Sequence, residues 1–397
     1  MNHGLRSGVI VLNFKDSFRR ARMAVTPPSS RSFQRVTEHL MSESAQTLES
    51  IRAIESRLTS LEQSVLRVSD SIAVSDERAR LRFEALYAQP NEDAEHAKRR
   101  FFASIPEATG NKRKLQLANA RLMSEFDRIC RNLNLDYWFS YGTLVASLSR
   151  SGFIPWDDDI DLCMMREDIA SLSKALESDP DYQLTLVYDW FSPCRQIRFT
   201  SRNPMVPCFI DVSIYDWSCS YSPEDDSALR ALRLELMDCI HNSADRFAYW
   251  AEAGWLLAPG SGEVAQSSQV DFTNQDATLS ASESCKIEAE FARFQNKAYD
   301  LGLIRDREKA EGISYALDNT YDAPWRRIVW PCDMVFPTEN HPFESYEFKV
   351  PHDAESVADE CYPGWPYLPS DILAHNHFDD ALLSNGAVIS AIDDFIG

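Results

Sequence analysis

The sequence predicts an α+β fold, a mixed sheet with flanking helices that is preceded by an N-terminal coiled-coil helix. Apolar residues repeat in heptads between residues 51 and 72, which is typical of a long helix. A second helical pattern follows over residues 115–134. Beyond it come short β-rich runs that carry single acids. Because strands and helices do not alternate regularly along the chain, the order favours α+β over a βαβ repeat.

The heptad segment has an apolar seam of seven residues: Ile51, Ile54, Leu58, Leu61, Val65, Val68 and Ile72. Their spacings of three and four predict a coiled-coil helix over residues 41–88 and a homo-oligomer formed through residues 41–80. β-Branched residues at one seam position suit a parallel dimer, although Ile54 and Val68 at the other position leave the number of chains open. The alternative is a single amphipathic helix that folds onto the body of the same chain. The basic, Ser-rich residues 1–40 are predicted to form a flexible arm.

The remaining pattern predicts one larger catalytic domain over residues 105–380. Gly142-Thr143 is expected to form a tight turn between a strand at 137–141 and a short helix. The later predicted elements are a strand at 160–165, a helix at 166–178, β-rich runs at 183–190, 195–202 and 208–217, and helices at 223–256 and 287–301. A Gly- and Ser-rich loop insert is expected at 258–285, and the Pro- and aromatic-rich C-terminal segments are expected to wrap the core as irregular structure.

Composition narrows the class of protein. The formal net charge of −21 argues against a general nucleic-acid binder, whose surface would be basic. No run approaches the roughly 18–20 apolar residues of a membrane span, so no transmembrane segment is expected. The nine cysteines are scattered without zinc-type spacing and are expected to be reduced. We therefore expect a cytoplasmic protein, with a peripheral place at the inner face of the membrane compatible with the sequence.

The stretch GFIPWDDDIDL, residues 152–162, places four carboxylates among apolar residues. In a strand, Asp159 and Asp161 project from one face while Ile160 points into the core. Two carboxylates held together repel each other unless a cation lies between them. A hard divalent ion that prefers oxygen ligands, Mg²⁺ or Mn²⁺, is the expected cofactor. Asp157 and Asp158 are left open: one is expected to orient the loop or contact a second ion, and the other to be solvated.

A third acid is expected from a neighbouring strand. Asp211 is the best candidate, because it is the one acid within the β-like apolar run CFIDV. Its alternative is a strand-end acid that faces solvent. Arg195 and Arg198, in the preceding β-rich run, are expected to alternate towards one face, where they could bind phosphate oxygens. Cross-strand pairing with acids is the alternative for both arginines.

The order of these segments resembles the LicD/fukutin family. Tyr141-Gly142-Thr143-Leu144 followed by Gly152-Phe153-Ile154-Pro155-Trp156-Asp157-Asp158-Asp159-Ile160-Asp161-Leu162 is similar to that family's signature. The resemblance implies a nucleotidyltransferase fold and the transfer of a phospho-substituent, such as phosphocholine, phosphoglycerol or phosphoribitol, from a CDP-linked donor onto a glycan or a lipid-linked glycan precursor. It also implies a two-metal site at Asp159, Asp161 and Asp211, with Asp211 accepting the proton of the sugar hydroxyl and Gly142-Thr143 near the donor phosphates.

The sequence departs from the family pattern just before the stretch GFIPWDDDIDL. Family members commonly carry an arginine, a histidine and a basic residue there, whereas this chain has Ser149-Arg150-Ser151. Arg150 is expected either to contact donor phosphate from a different angle or to lie on the surface. Trp156 is expected to contribute to substrate binding, and with Trp138 and Trp190 it could form a cage for a cationic headgroup.

Two other functions fit the same residues. One is a nucleotidyltransferase that attaches an NMP to a protein or a small molecule with the same three acids. The other is a coiled-coil assembly factor with a silent catalytic domain. The presence of all three acids argues against the silent domain.

Overall fold

The computed structural model describes residues 30–87, 89–189, 194–243, 251–253, 281–319, 327–362, 364–368, 378 and 380–397. The chain divides into two compact units, residues 1–88 and residues 89–397. Each unit is described separately below. The predicted arm falls largely outside the described residues, as do Trp190 and most of the predicted insert at 258–285.

The first unit contains one long helix, α1 (Ser30–Tyr87), of 58 residues. It begins ahead of the predicted start at residue 41, so residues 30–40 are helical and do not belong to the arm. Neither Gly nor Pro occurs within α1, whereas Pro27-Pro28 precedes it and Pro90 follows it. Since Pro removes a backbone donor and Gly favours other conformations, their positions account for where this helix begins and ends.

The second unit holds the remaining helices. They are α2 (Ala94–Ser104), α3 (Gly110–Leu133), α4 (Tyr141–Arg150), α5 (Arg166–Leu176), α6 (Pro223–Ser243), α7 (Ala281–Asp300), α8 (Ala354–Cys361), α9 (Asp380–Leu383) and α10 (Gly386–Ile396). In α3, the buried residues Leu115, Leu122, Phe126 and Ile129 recur at helical spacing and pack into the core. No helix in the described part of the chain is long and apolar enough to cross a bilayer.

The strands form one mixed sheet and one hairpin. They are β1 (Tyr137–Phe139), β2 (Ile160–Met165), β3 (Tyr182–Asp189), β4 (Cys194–Ser201), β5 (Phe209–Ser218), β6 (Ala251–Ala253), β7 (Gly312–Tyr315), β8 (Val329–Pro331), β9 (Glu339–Phe343) and β10 (Tyr346–Val350). The sheet order is β1-β2-β5-β4-β3-β6, with β7 paired to β5 and β8 to β7, while β9 and β10 pair with each other. This combination of helices and a mixed sheet confirms the predicted α+β class.

Strand β5 is the centre of the sheet. It pairs in parallel with β2 along residues 210–215. On its other side, its first half pairs with β4 and its second half with β7, both antiparallel. Because side chains alternate between the two faces of a strand, this register aligns Asp161, Asp211 and Arg198 in one row across three strands.

Several predicted elements differ from the observed ones. Gly142-Thr143 lies in the first turn of α4, so it is part of the helix rather than a turn before it. The helix predicted at 223–256 ends at Ser243, and residues 251–253 are a strand. Residues 281–285 of the predicted insert begin α7. The C-terminal segments include a hairpin and three helices, so the expectation of wholly irregular structure there is wrong; α10 packs against α3 beyond the predicted domain end at 380.

Candidate active site

Three acids meet where β2 and β5 begin. Asp161 lies directly opposite Asp211 in the parallel pair, and Asp159 immediately precedes β2. One carboxylate oxygen from each of the three residues lies within 4.8 Å of the other two. These residues, called the triad below, are the three acids that the sequence singled out. The pairing of β2 with β5 therefore brings together carboxylates 50 residues apart in the sequence.

The acidic loop, residues 152–161, is buried along with the triad. Asp159 and Asp211 are 6% and 7% exposed, and Asp161 is partly buried. Asp157 and Asp158 are 3% and 1% exposed, so the expectation that one of them is solvated is wrong. Burial raises the pKa of Asp157 well above its usual range, and the neighbouring acids, first Asp159, raise it further. A side-chain hydrogen bond with Asp159 raises the pKa of Asp157 in addition.

Polar side chains of α3 hold the backbone of the acidic loop. Gln116 Nε2 donates to the carbonyl oxygens of Ile154, at 3.1 Å, and Asp157, at 2.8 Å. Asn119 Nδ2 donates to the carbonyl oxygen of Asp158 at 2.7 Å. Lys112 Nζ donates to the carbonyl oxygen of Trp156. Residues 112, 116 and 119 share one helix face, so one rigid element holds successive carbonyls of the loop.

The start of the loop has a second support from the β9–β10 hairpin. Glu344, between these strands, pairs bidentately with Arg113 of α3 at 2.8 and 2.6 Å. Its Oε1 also accepts from the backbone N–H of Phe153 at 3.1 Å, and its own N–H donates to Ser151. A bidentate ion pair is geometrically specific, so the hairpin and α3 together fix the direction in which the loop leaves α4.

The N-terminus of α4 lies against Asp161. Thr143 Oγ1 accepts from the backbone N–H of Asp161 at 2.8 Å, and the N–H of Ser140 donates to the Asp161 carbonyl at 3.2 Å. A Cβ atom at position 142 would lie 3.1 Å from Asp157 Oδ2, so Gly142 leaves room for the acidic loop. The structure thus brings Thr143 to the triad and Gly142 to Asp157 of the acidic loop.

Arg198 reaches the triad but Arg195 does not. Arg198 Nε donates to Asp211 Oδ1 at 2.7 Å, and its guanidinium lies 3.9 Å from the centre of the Phe209 ring. Arg195 pairs instead with Glu288 and Asp318. The prediction that both arginines share a face is wrong, because residues three apart on a strand point to opposite faces. This ion pair holds the carboxylate of Asp211 beside those of Asp159 and Asp161.

Arg150 and the tryptophans have structural contacts. Arg150 donates to the carbonyl oxygens of Phe102 and Ile105 at the C-terminal end of α2, and burial lowers its pKa. It ends α4, about 12 Å along the helix from Gly142, so a place beside the triad is not supported. Trp156 packs on Phe102 with ring centres 6.4 Å apart. Trp138 is fully buried among Tyr215 and Phe336, which excludes it from a headgroup cage.

The triad fits a hard divalent cation. It offers three carboxylates in a largely buried place, and oxygen ligands of this kind are those that Mg²⁺ and Mn²⁺ prefer. Arg198 pairs with one of the three carboxylates. Carboxylates held this close together repel one another, and a cation between them would relieve that repulsion.

Sequence reasoning missed the residues of α3 and Glu344 that hold the loop. Gln116 and Asn119 are both fully buried, although they lie in a helix whose apolar stripe was recognised. A signal was present: two amides border that stripe at helical spacing, and a buried amide needs a hydrogen-bond partner. Nothing in the sequence pattern pairs Arg113 with Glu344, which is 231 residues away.

Comparisons with known proteins agree with this geometry. Residues 134–189 match the family model described as "LicD/FKTN/FKRP, nucleotidyltransferase domain". The lipopolysaccharide cholinephosphotransferase LicD of Haemophilus influenzae is 28% identical over 116 residues, which cover 26% of this chain and 44% of that protein. An uncharacterized protein of Rickettsia prowazekii is 32% identical over 76 residues, or 19% of this chain and 29% of that protein. One of Rickettsia typhi is 36% identical over 55 residues, or 14% and 18%.

The chain therefore spans less than half the length of each of these relatives. The matched family region contains Asp159 and Asp161, and the β2–β5 pairing adds Asp211 from outside it. The resemblance predicted from Tyr141-Gly142-Thr143 and the acidic loop is thereby confirmed. Residues 134–189 are therefore similar to the nucleotidyltransferase domain of the LicD family.

Proposed function

We propose that this protein is a Mg²⁺- or Mn²⁺-dependent transferase with a nucleotidyltransferase-like catalytic fold. It moves a phospho-substituent, such as phosphocholine, phosphoglycerol or phosphoribitol, from a CDP-activated donor to a hydroxyl of a cell-surface glycan or its lipid-linked precursor. The observation that carries the proposal is the buried triad at the paired starts of β2 and β5, two of whose acids lie in the region that matches the LicD family model. The similarity to a lipopolysaccharide cholinephosphotransferase supports this class of reaction.

Asp159, Asp161 and Asp211 would hold the cation. When bound, a divalent ion in such a site neutralises developing charge on phosphate oxygens and helps to orient the attacking hydroxyl. The residues of the chain supply position: Arg198 holds the carboxylate of Asp211, and Gln116 and Asn119 hold the acidic loop. In phosphoryl transfer, catalysis consists mostly of such positioning and charge stabilisation.

The N-terminal end of α4 is the proposed place for the donor phosphates. The first backbone N–H groups of a helix lack partners within the helix and attract anions. Ser140, the residue before α4, has a fully buried hydroxyl for which no hydrogen-bond partner is found among the described residues. Because Ser140 and Thr143 both contact the backbone of Asp161, phosphates bound there would lie beside the triad.

The cytoplasm, with access to the inner face of the membrane, is the proposed place of action. Seven cysteines of the described residues are free thiols: Cys130, Cys163, Cys208, Cys219, Cys239, Cys332 and Cys361. Free thiols are typical of reducing compartments. CDP-activated donors and lipid-linked glycan precursors would meet the enzyme at that face.

The test is incubation of the full chain with Mg²⁺ and CDP-choline, CDP-glycerol or CDP-ribitol, with CMP release and calorimetric donor binding as readouts. One donor is expected to bind only with Mg²⁺ and to release CMP. The double variant Asp159→Ala/Asp161→Ala should lose both signals, whereas Asp394→Asn, at an exposed acid of α10, should keep them. Pyrophosphate release from an NTP would instead establish nucleotidyl transfer. Failure to bind any nucleotide with Mg²⁺ would contradict both enzymatic functions and favour the silent assembly factor.

A further inference from the structure

Helix α1 carries an exposed apolar seam that the proposed reaction does not use. Its seven residues are between 46% and 63% exposed: Ile51, Ile54, Leu58, Leu61, Val65, Val68 and Ile72. A helix of 58 residues is about 87 Å long. Contiguous apolar surface of this kind marks an interaction site, because leaving it in water is unfavourable.

The seam has the spacing of a coiled coil. Ile51, Leu58, Val65 and Ile72 occupy heptad position a, and Ile54, Leu61 and Val68 occupy position d. A strict seven-residue repeat keeps the seam facing one partner helix along its length. Three of the four residues at position a are β-branched, which suits two strands, whereas Ile54 and Val68 at position d leave the number of chains to the mass measurement below. The pattern therefore fits a partner helix that carries the same seven-residue repeat.

We propose that α1 forms a parallel, in-register, two-stranded coiled coil with a second copy of this chain. The charges beside the seam support this direction. By heptad position, e carries the acids Glu55, Glu62 and Asp76, whereas g carries Arg57 and Arg78. In a parallel pair, position g contacts position e of the next heptad on the other helix, which places Arg57 opposite Glu62 of the second copy. In an antiparallel pair, e faces e, and acids would meet acids.

Pairing in this direction has a consequence for the assembly. In a parallel pair, the C-terminal ends of the two helices, each at Tyr87, lie at the same end of the coiled coil. The inference concerns the first unit alone, and it stands whether or not the second unit transfers phospho-substituents.

Mass measurement by light scattering on the full chain tests the pairing. The wild-type protein is expected at twice the chain mass of 45.2 kDa. Leu61→Asp should give single chains, because it places a charge in the seam. Leu66→Asp is the matched control: Leu66 is 65% exposed against 61% for Leu61, yet it lies off the seam, so this variant should remain at twice the chain mass. Unchanged thermal unfolding of the second unit would show that Leu61→Asp leaves the rest folded.

Single chains for the wild type, a mass of three chains, or equal behaviour of the two leucine variants would overturn the proposal. Direction is tested by charge reversal. Arg57→Glu alone and Glu62→Arg alone should each raise the dissociation constant about tenfold, since each pairs like charges twice in the symmetric dimer. The combined Arg57→Glu/Glu62→Arg variant should return to the wild-type value. Absence of this recovery would contradict parallel, in-register pairing.

Discussion

Strands β2 and β5 run side by side, and each end of this pair carries a cluster of charged side chains. At the start lie the triad and the acidic loop, with Arg198 paired to Asp211. At the other end, about 17 Å away along β5, Arg166 follows β2 and pairs bidentately with Asp216 at 2.6 and 2.8 Å. The same two strands thus support two clusters with different charge balance.

The second cluster compensates its own charge. Arg166 also pairs with Asp318, and Arg195 pairs with Asp318 at 2.9 Å and with Glu288 at 2.7 and 2.9 Å. These five residues form the arginine network. Burial opposes ionisation of Asp318, but Arg166 and Arg195 more than offset it and lower the pKa of Asp318 to about 2. Every acid of the network has an arginine partner.

The difference separates a structural cluster from a site built for a ligand. In the arginine network, guanidinium groups of the chain satisfy the carboxylates, so the cluster is complete in the folded protein. In the triad, three carboxylates lie within 4.8 Å of one another in a largely buried place, and they repel each other unless a cation lies between them. Buried clusters of like charge are typical of functional sites. Replacing an aspartate with asparagine should therefore raise the stability at the triad and lower it in the arginine network.

The largest expected effect is the loss of activity in Asp159→Asn. Removing a metal ligand should lower CMP release at least about 1,000-fold, because several kcal/mol of charge stabilisation disappear. In a chelating buffer the same variant should be more stable than the wild type, on the order of 1–3 kcal/mol, because like-charge repulsion is relieved. CMP release measures the first effect, and thermal unfolding with EDTA and with Mg²⁺ measures the second. Mg²⁺ should raise the Tm of the wild type but not that of Asp159→Asn.

The control for Asp159→Asn is Asp394→Asn, which should match the wild type in both buffers. A decrease in stability of Asp159→Asn under EDTA would show that the triad is satisfied without a cation, as the arginine network is. That outcome would remove the distinction between the two ends.

Asp318→Asn tests the other end. We expect a loss of about 3–5 kcal/mol in the free energy of unfolding at pH 7, because Arg166 and Arg195 would share a neutral partner in a buried place. Urea titration measures it. The folded pKa of about 2 lies below the usual value of 3.8, so this contribution is present above pH 4 and is lost as the pH falls towards 2. The difference between variant and wild type should shrink over that interval. A pH-independent difference would contradict the assignment.

Asn119→Ala sharpens the comparison by releasing one carbonyl of the acidic loop. The lost bond to Asp158 leaves a buried carbonyl unsatisfied and should cost about 1–3 kcal/mol of stability. If α3 positions the triad, CMP release should also fall about 10- to 100-fold. Asn132→Ala, at an exposed asparagine of the same helix, controls for helix propensity and should leave activity unchanged. A stability loss with full activity would limit α3 to a structural role.

The sequence was sufficient to predict the triad for a physical reason. The alternation of side chains along a strand places Asp159 and Asp161 together, and a single acid within an apolar strand identified Asp211. The same rule, applied to Arg195 and Arg198, would have separated them, because three positions change the face. The α+β class was predictable from element order, whereas the exact partners of β5 depend on contacts between residues distant in sequence.

The supports of the site could not be predicted in the same way. Gln116 and Asn119 contact carbonyl oxygens 38 to 41 residues away, and backbone carbonyls leave no trace in a sequence. The contacts of Arg150 could not be predicted for the same reason, because its acceptors are the backbone carbonyls of Phe102 and Ile105. Local patterns predict elements and faces, while side chain–backbone contacts across the fold require coordinates.

The side chain of Gln116 has a consequence for ion selectivity. Its one amide group binds the carbonyls of Ile154 and Asp157, which lie on either side of Pro155-Trp156, so the acidic loop cannot widen without breaking a buried bond. Ca²⁺ needs six to eight ligands at 2.3–2.6 Å, whereas Mg²⁺ accepts few carboxylates at about 2.0–2.1 Å. With a cation at the triad, a loop held at fixed width would favour the smaller ion, and the discrimination would come from a helix whose side chains hold the loop.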